Sequence, residues 1–168
     1  MIENQKSPRS FFLKKILTIE TVRANVRVDT WQQAADKVGC LLVEAGKVET
    51  KYIRRMKQAL DEVGPYVVVA PGIALLHARP EDGVLQPCIS LITLENPVEF
   101  GHSENDPVDI VIAFGAIDKD SHIPALKQLA EKIGNEQIIK QIRSATSDEF
   151  LLEAFIASNQ DLSKSKEN

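Results

Sequence analysis

The chain holds three histidines, and their surroundings differ in kind. His77 sits in Pro71-Gly72-Ile73-Ala74-Leu75-Leu76-His77-Ala78-Arg79-Pro80, just after the run Val67-Val68-Val69. Pro71-Gly72 before it and Pro80 to Gly83 after it restrict the backbone around a short segment. A neutral imidazole is a competent nucleophile near its unperturbed pKa of about 6.5. Arg79 adds a permanent cation whose planar fork holds an anion. One nucleophilic ring with donors for the oxygens is a sufficient kit for phosphoryl transfer, which is mostly positioning and charge stabilisation. The same residues also permit a packed, inert histidine, and local sequence does not separate the two.

His122 lies in Asp118-Lys119-Asp120-Ser121-His122, at a predicted helix start just after an apolar strand. Free N–H groups and the helix dipole favour an anion such as phosphate there, and His122 is placed to bond a phosphoryl oxygen. The other reading is a solvent-facing or capping residue in the first turn. His102 belongs to the polar, turn-rich Phe100-Gly101-His102-Ser103-Glu104-Asn105-Asp106-Pro107 and reads as a surface loop residue. No two histidines are three or four residues apart and no HExxH occurs, so the spacing implies no metal site. Cys40 and Cys88 sit in apolar contexts without CxxC spacing and read as two buried free thiols.

These side chains need elements to hold them. Trp31, Ala34, Ala35, Val38, Leu41, Leu42 and Ala45 form one apolar stripe at helical spacing. Thr30 with Gln33 predicts a capping box at its start, and Gly46 a stop. A second helix is predicted with Thr50 as N-cap. Tyr52, Ile53, Met56, Ala59, Leu60 and Val63 form its stripe, and Gly64-Pro65 ends it. Strands are predicted at Tyr66 to Ala70, Cys88 to Leu94 and Asp109 to Ile117, with an earlier one near Asn25 to Val28. Ile110-Val111-Ile112-Ala113-Phe114 is apolar without alternation, which predicts cover on both faces. Helix signals return at Ser121 to Ile133, with Pro124 in the first turn, and at Glu136 to Arg143. A last helix opens on Thr146-Ser147-Asp148-Glu149, read as another capping box, and is predicted to bury Phe150, Leu151, Ala154 and Phe155.

The order is a strand, two helices, three strands, then helices. A sheet must be covered on each apolar face, so the natural fold is an α/β three-layer-like sandwich with a mixed sheet flanked by helices. It is not the regular alternation of a doubly wound nucleotide binder, and neither GxGxxG nor GxxxxGK[ST] is present. One domain is expected over residues 11–157, between a flexible N-terminus at 1–10 and a disordered tail at 158–168. A net charge of −4 argues against nucleic acid as a partner. No apolar stretch reaches the roughly 20 residues of a membrane helix, and no signal segment opens the chain, so a cytoplasmic location without membrane insertion is expected.

The stretch Pro71 to Glu81 closely resembles the active-site signature of the type-2 enzyme IIA domains of the bacterial sugar phosphotransferase system, the mannitol–fructose superfamily. The extended form through Gly83-Val84 is most similar to the ascorbate-type branch. The resemblance runs from about Thr30 to Phe155. It includes LLVEAGKVETKYI at 41–53 and DKDSHIPALKQLAEKIGNEQIIKQI at 118–142. It implies the type-2 enzyme IIA fold and a phosphohistidine carrier that needs no cofactor or metal. His77 matches the phosphorylated histidine, which takes a phosphoryl group from the carrier HPr and passes it to a cysteine of enzyme IIB. A membrane enzyme IIC completes the system, for ascorbate or a related sugar. His122 matches a second histidine that stabilises the phosphoryl group.

Two departures stand out. Leu76 replaces the proline usual before the nucleophile; proline would fix φ and remove an N–H, so a looser local constraint is expected. Mannitol-type members carry an active-site arginine late in the second helix. Here Lys57-Gln58-Ala59-Leu60-Asp61 offers none in register, leaving Arg79 as the available cation. Leu75, Leu76 and Leu85 are expected either to ring His77 as a partner contact patch or to lie in the core. The alternative function is a phosphorylation-dependent regulatory domain without a transport role. A metal-dependent hydrolase using the histidines is the third reading.

Overall fold

Strand β5 (Val108–Gly115) is the middle of the molecule, and its sequence explains why. Successive side chains of a strand point to opposite faces. Val111 and Ala113 enter one core, while Ile110, Ile112 and Phe114 enter the other. The unbroken apolar run Ile110 to Phe114 is stable in a strand only where both faces are covered. The computed structural model describes residues 13–157, so the expectations for 1–10 and 158–168 lie outside the described residues.

The other strands are β1 (Val22–Val26), β2 (Val68–Ala70), β3 (Ile73–Leu76) and β4 (Cys88–Val98). They form one mixed sheet in the order β1-β4-β5-β3-β2. β4 runs antiparallel to β5, and β3 runs parallel to it with Leu76 beside Ala113. β1 is parallel to β4, and β2 and β3 form an antiparallel hairpin.

Helices α1 (Trp31–Glu44) and α2 (Lys51–Val63) cover one face, burying Ala34, Val38, Leu42, Tyr52, Met56 and Leu60. Helices α3 (Lys119–Ile133), α4 (Glu136–Ser144) and α5 (Asp148–Ile156) cover the other with Leu129, Ile138, Ile142, Leu151 and Phe155. The three layers match the sandwich expected from the sequence. The Thr30 cap forms, its hydroxyl accepting from Gln33 N at 3.2 Å, but the expected box does not close, because the Gln33 side chain accepts from Asp29 N at 2.7 Å rather than from Thr30 N.

Several local expectations are corrected. The sequence reading has no strand at Ile73–Leu76; parallel pairing with β5 makes it β3. Pro65–Val67 is a 3-10 turn, so the strand expected at Tyr66 begins at Val68. The first strand lies at Val22–Val26 rather than 25–28, and Asn25 there has φ +54°. Thr50 has helical φ and ψ and makes no side-chain cap. Asp118 caps α3 before Lys119, which places Pro124 inside the helix rather than in its first turn. At the last helix Ser147 alone is the cap, accepting from Phe150 N, so the third helical position holds no Glu or Gln to complete a box. Phe150 consequently faces outward and is 45% exposed. Cys40 is exposed on α1, and only Cys88 is buried. Among the described residues no helix is long and apolar enough to cross a membrane.

Candidate active site

Parallel pairing brings the C-terminal ends of β3 and β5 to one edge of the sheet, where α/β folds commonly display functional side chains. His77 is the first residue after β3. His122 is the fourth residue of α3, which starts just beyond β5. The two imidazoles meet with ring centroids 5.4 Å apart at an interplanar angle of 58°. Phe114, near the end of β5, lies under both, 4.9 Å from His77 and 5.3 Å from His122. Phe114 is 1% exposed, so the histidine pair stands on an apolar floor.

That floor shapes the chemistry of His77. Nδ1 is buried and makes no hydrogen bond of normal geometry. Burial holds the His77 pKa below the ordinary value of 6.5, and the neighbouring His122 charge pushes the same way. The backbone of Leu75 favours the proton but does not reverse the direction. The ring is therefore neutral near pH 7, the state in which a nitrogen lone pair is free to attack.

Tyr52 of α2 braces this arrangement from beneath. It is fully buried, and its hydroxyl donates to the Phe114 carbonyl at 2.7 Å and accepts from Ala78 N at 3.0 Å. One side chain thus holds the residue after His77 and the floor beneath it. Sequence reasoning treated Tyr52 as one more apolar stripe residue. Its bonds are to positions distant in the chain, and no local pattern reveals them.

Leu76 is 1% exposed and sits in the ladder opposite Ala113. Strand pairing and burial therefore constrain the position where proline was expected, and the anticipated loosening is corrected. Leu75 is also core, at 4% exposure, so only Leu85 of the three expected patch leucines is exposed. The helix-start expectation changes as well. The carboxylate of Asp118 accepts from Ser121 N at 2.8 Å and from Ser121 Oγ at 2.7 Å. These hydrogen bonds hold its pKa below the usual carboxylate range. The start of α3 already carries its own anion, and what His122 brings to His77 is its ring, 5.4 Å away between centroids.

A cavity of about 390 Å³ opens beside His77, lined in part by Arg55, Gln58, Arg79 and Asp82. Arg79 is exposed and begins a one-turn 3-10 segment at Pro80–Asp82. Asp82 closes that turn by accepting from Arg79 N at 3.0 Å. Its other oxygen faces Arg55 Nε at 3.7 Å. Arg55 is a cation at the site that the reading of α2 missed. The structure thus brings His77, His122 and Arg79 to one end of the sheet. His102 serves elsewhere: its Nδ1 accepts from the backbone of Glu104 and Asn105 and folds the β4–β5 loop. Among the described residues no three His, Cys, Asp or Glu side chains converge as metal ligands would.

Comparisons with known proteins agree with this fold. The family described as "Phosphoenolpyruvate-dependent sugar phosphotransferase system, EIIA 2" matches residues 15–158. The ascorbate-specific PTS system EIIA component of Escherichia coli K12 is 36% identical over 142 residues, covering 83% of this chain and 92% of that one. The solution structure of the mannitol-specific cryptic phosphotransferase enzyme IIA from Escherichia coli superposes with a TM-score of 0.78 at 32% identity, covering 86% of this chain and 97% of that one. The complex of enzyme IIAMTL and phosphorylated enzyme IIBMTL from Escherichia coli superposes with a TM-score of 0.72 at 26% identity, covering 83% of this chain and 96% of the matched one. The chain belongs to the type-2 EIIA family of the phosphoenolpyruvate-dependent sugar phosphotransferase system.

Proposed function

We propose that this chain is a phosphocarrier that takes a phosphoryl group from phospho-HPr on His77 and passes it to a cysteine of enzyme IIB. The observation that carries the reading is the His77–His122 pair on Phe114, with a cation-lined cavity beside it. Nδ1 of His77 is buried, which leaves Nε2 as the attacking nitrogen. Its lone pair forms a bond to phosphorus while the donor's P–N bond breaks, and that electron pair returns to the donor imidazole. In the second half, the thiolate sulfur of enzyme IIB bonds to phosphorus. The P–N bond to Nε2 breaks, and its electron pair returns to His77. No net proton or electron is consumed.

His122 supplies an N–H to a phosphoryl oxygen, and Arg79 offsets the charge from the cavity side. The exposed apolar residues Val63 and Tyr66 at the cavity, with Ile123 next to His122, give each partner a contact surface. HPr and enzyme IIB use it in turn, and short-lived docking suits a carrier. The ascorbate-specific relatives favour ascorbate or a related sugar as the cargo of the membrane enzyme IIC that completes the system.

The test is incubation with phosphoenolpyruvate, enzyme I and HPr, followed by intact-mass measurement. The wild type gains one acid-labile phosphoryl group, His77→Ala gains none, and His122→Ala gains it more slowly. An undiminished adduct on His77→Ala rules the reading out.

A further inference from the structure

Helix α2 presents two faces. Tyr52, Ile53, Met56 and Leu60 point into the core. Arg55, Gln58, Ala59, Glu62 and Val63 recur at helical spacing along the cavity that holds His77. Arg55 is the cation of that second face. Its Nη1 donates to Gln58 Oε1 at 3.2 Å, and its Nε stands 3.7 Å from Asp82 Oδ1. That separation is beyond hydrogen-bond length, and the Arg55 side chain is 50% exposed, so the ion pair is loose. The other oxygen of Asp82 is committed to the Arg79 backbone. Asp82 therefore holds Arg55 at the edge of the cavity without saturating its donors.

We infer that Arg55 is a phosphoryl-binding residue: when His77 carries the phosphoryl group, the guanidinium leaves Asp82 and donates to a phosphoryl oxygen. This rests on the phosphocarrier reading of His77. A phosphoryl group carries more charge than one carboxylate and offers three acceptors, which the planar guanidinium fork fits. With His122 on one side of His77 and Arg55 in the cavity, the group is held by two donors from opposite layers of the sandwich. Both contacts exist only in the phosphorylated form, so Arg55 favours that form.

An equilibrium measurement separates this role from docking. The equilibrium constant of phosphoryl exchange with HPr depends only on the free phosphorylated and unphosphorylated proteins, so a contact that merely docks HPr cancels out. The full-length wild type, Arg55→Gln and Arg55→Lys are each brought to equilibrium with phospho-HPr, and both phosphoproteins are quantified. Circular dichroism melting checks that the variants fold, as a half-exposed position should allow. Arg55→Gln should lower the ratio of phosphorylated chain to phospho-HPr about tenfold, the loss of one charge-assisted hydrogen bond. Arg55→Lys should recover part of it, and the ³¹P resonance of the phosphohistidine should move in Arg55→Gln. An unchanged ratio overturns the inference. So does slower labelling at low HPr with the ratio intact, which would assign Arg55 to docking. A wild type that takes no phosphoryl group overturns the phosphocarrier reading, and this inference with it.

Discussion

The hydroxyl of Tyr52 accepts a hydrogen bond from Ala78 N at 3.0 Å, tying helix α2 to the residue that follows His77. The same oxygen donates to Phe114 O at 2.7 Å, so the nucleophile's backbone and its aromatic floor share one buried anchor. Burial raises the Tyr52 pKa well above the ordinary phenol value, and the group remains a protonated donor at any physiological pH.

Tyr52→Phe leaves a buried N–H and a buried carbonyl without their partner. The expected cost is about 1–3 kcal/mol of stability, read from urea unfolding. Phosphorylation of His77 should also slow, because Ala78 and Phe114 are no longer held together. A variant with an unchanged urea midpoint and an unchanged labelling rate would show that the hydroxyl is idle.

Gly72 turns the β2–β3 hairpin at φ +75°. A Cβ there would stand 2.5 Å from Arg143 Nη2 and 2.8 Å from Asp109 Oδ1. Those groups form a clamp: Arg143 Nε donates to Asp109 Oδ2 at 2.9 Å, and Nη2 to Pro71 O at 2.9 Å. Gly72→Ala therefore pays about 1–2 kcal/mol for the left-handed backbone and loses part of the clamp as well. Its melting temperature should fall below that of Arg143→Ala, which loses the clamp alone. The reverse order would place the strain elsewhere.

His77 gives stability a pH dependence of definite sign. Its folded-state pKa lies below the ordinary 6.5, so the unfolded chain binds the proton more readily than the folded one. The contribution is fully present above about pH 6.5 and is lost as pH falls through the folded-state value. His77→Gln removes this contribution. The gap between wild type and variant in unfolding midpoint should shift against the wild type as pH drops from 7 to 5. Parallel curves across that range would contradict the assigned direction.

The helices were legible because their information is local. The stripe from Trp31 to Ala45 and the Thr30 cap specify α1 within a few turns. The unbroken apolar run of β5 likewise announced a strand covered on both sides. His77 could be marked as a nucleophile candidate from its neighbours, and the family resemblance paired it with His122. The strand that carries His77 was not legible. Ile73–Leu76 is a strand only because β5 lies beside it, and no periodicity in four residues says so. Cys40 shows the converse limit: its apolar neighbours suggested burial, but helical phase turned it outward.

By itself, the sequence determined the helices, the central strand and most of their apolar faces, and it supplied the imidazole and arginine groups suited to phosphoryl chemistry. Only the tertiary structure decided which of them meet. The β1-β4-β5-β3-β2 order set His77 and His122 5.4 Å apart, put the Tyr52 hydroxyl between Ala78 and Phe114, and brought Arg55 into the cavity of His77. The physical reason is range. Helical periodicity and capping act within a few residues, whereas these contacts join positions far apart in the chain, brought together when the sheet buries both its faces.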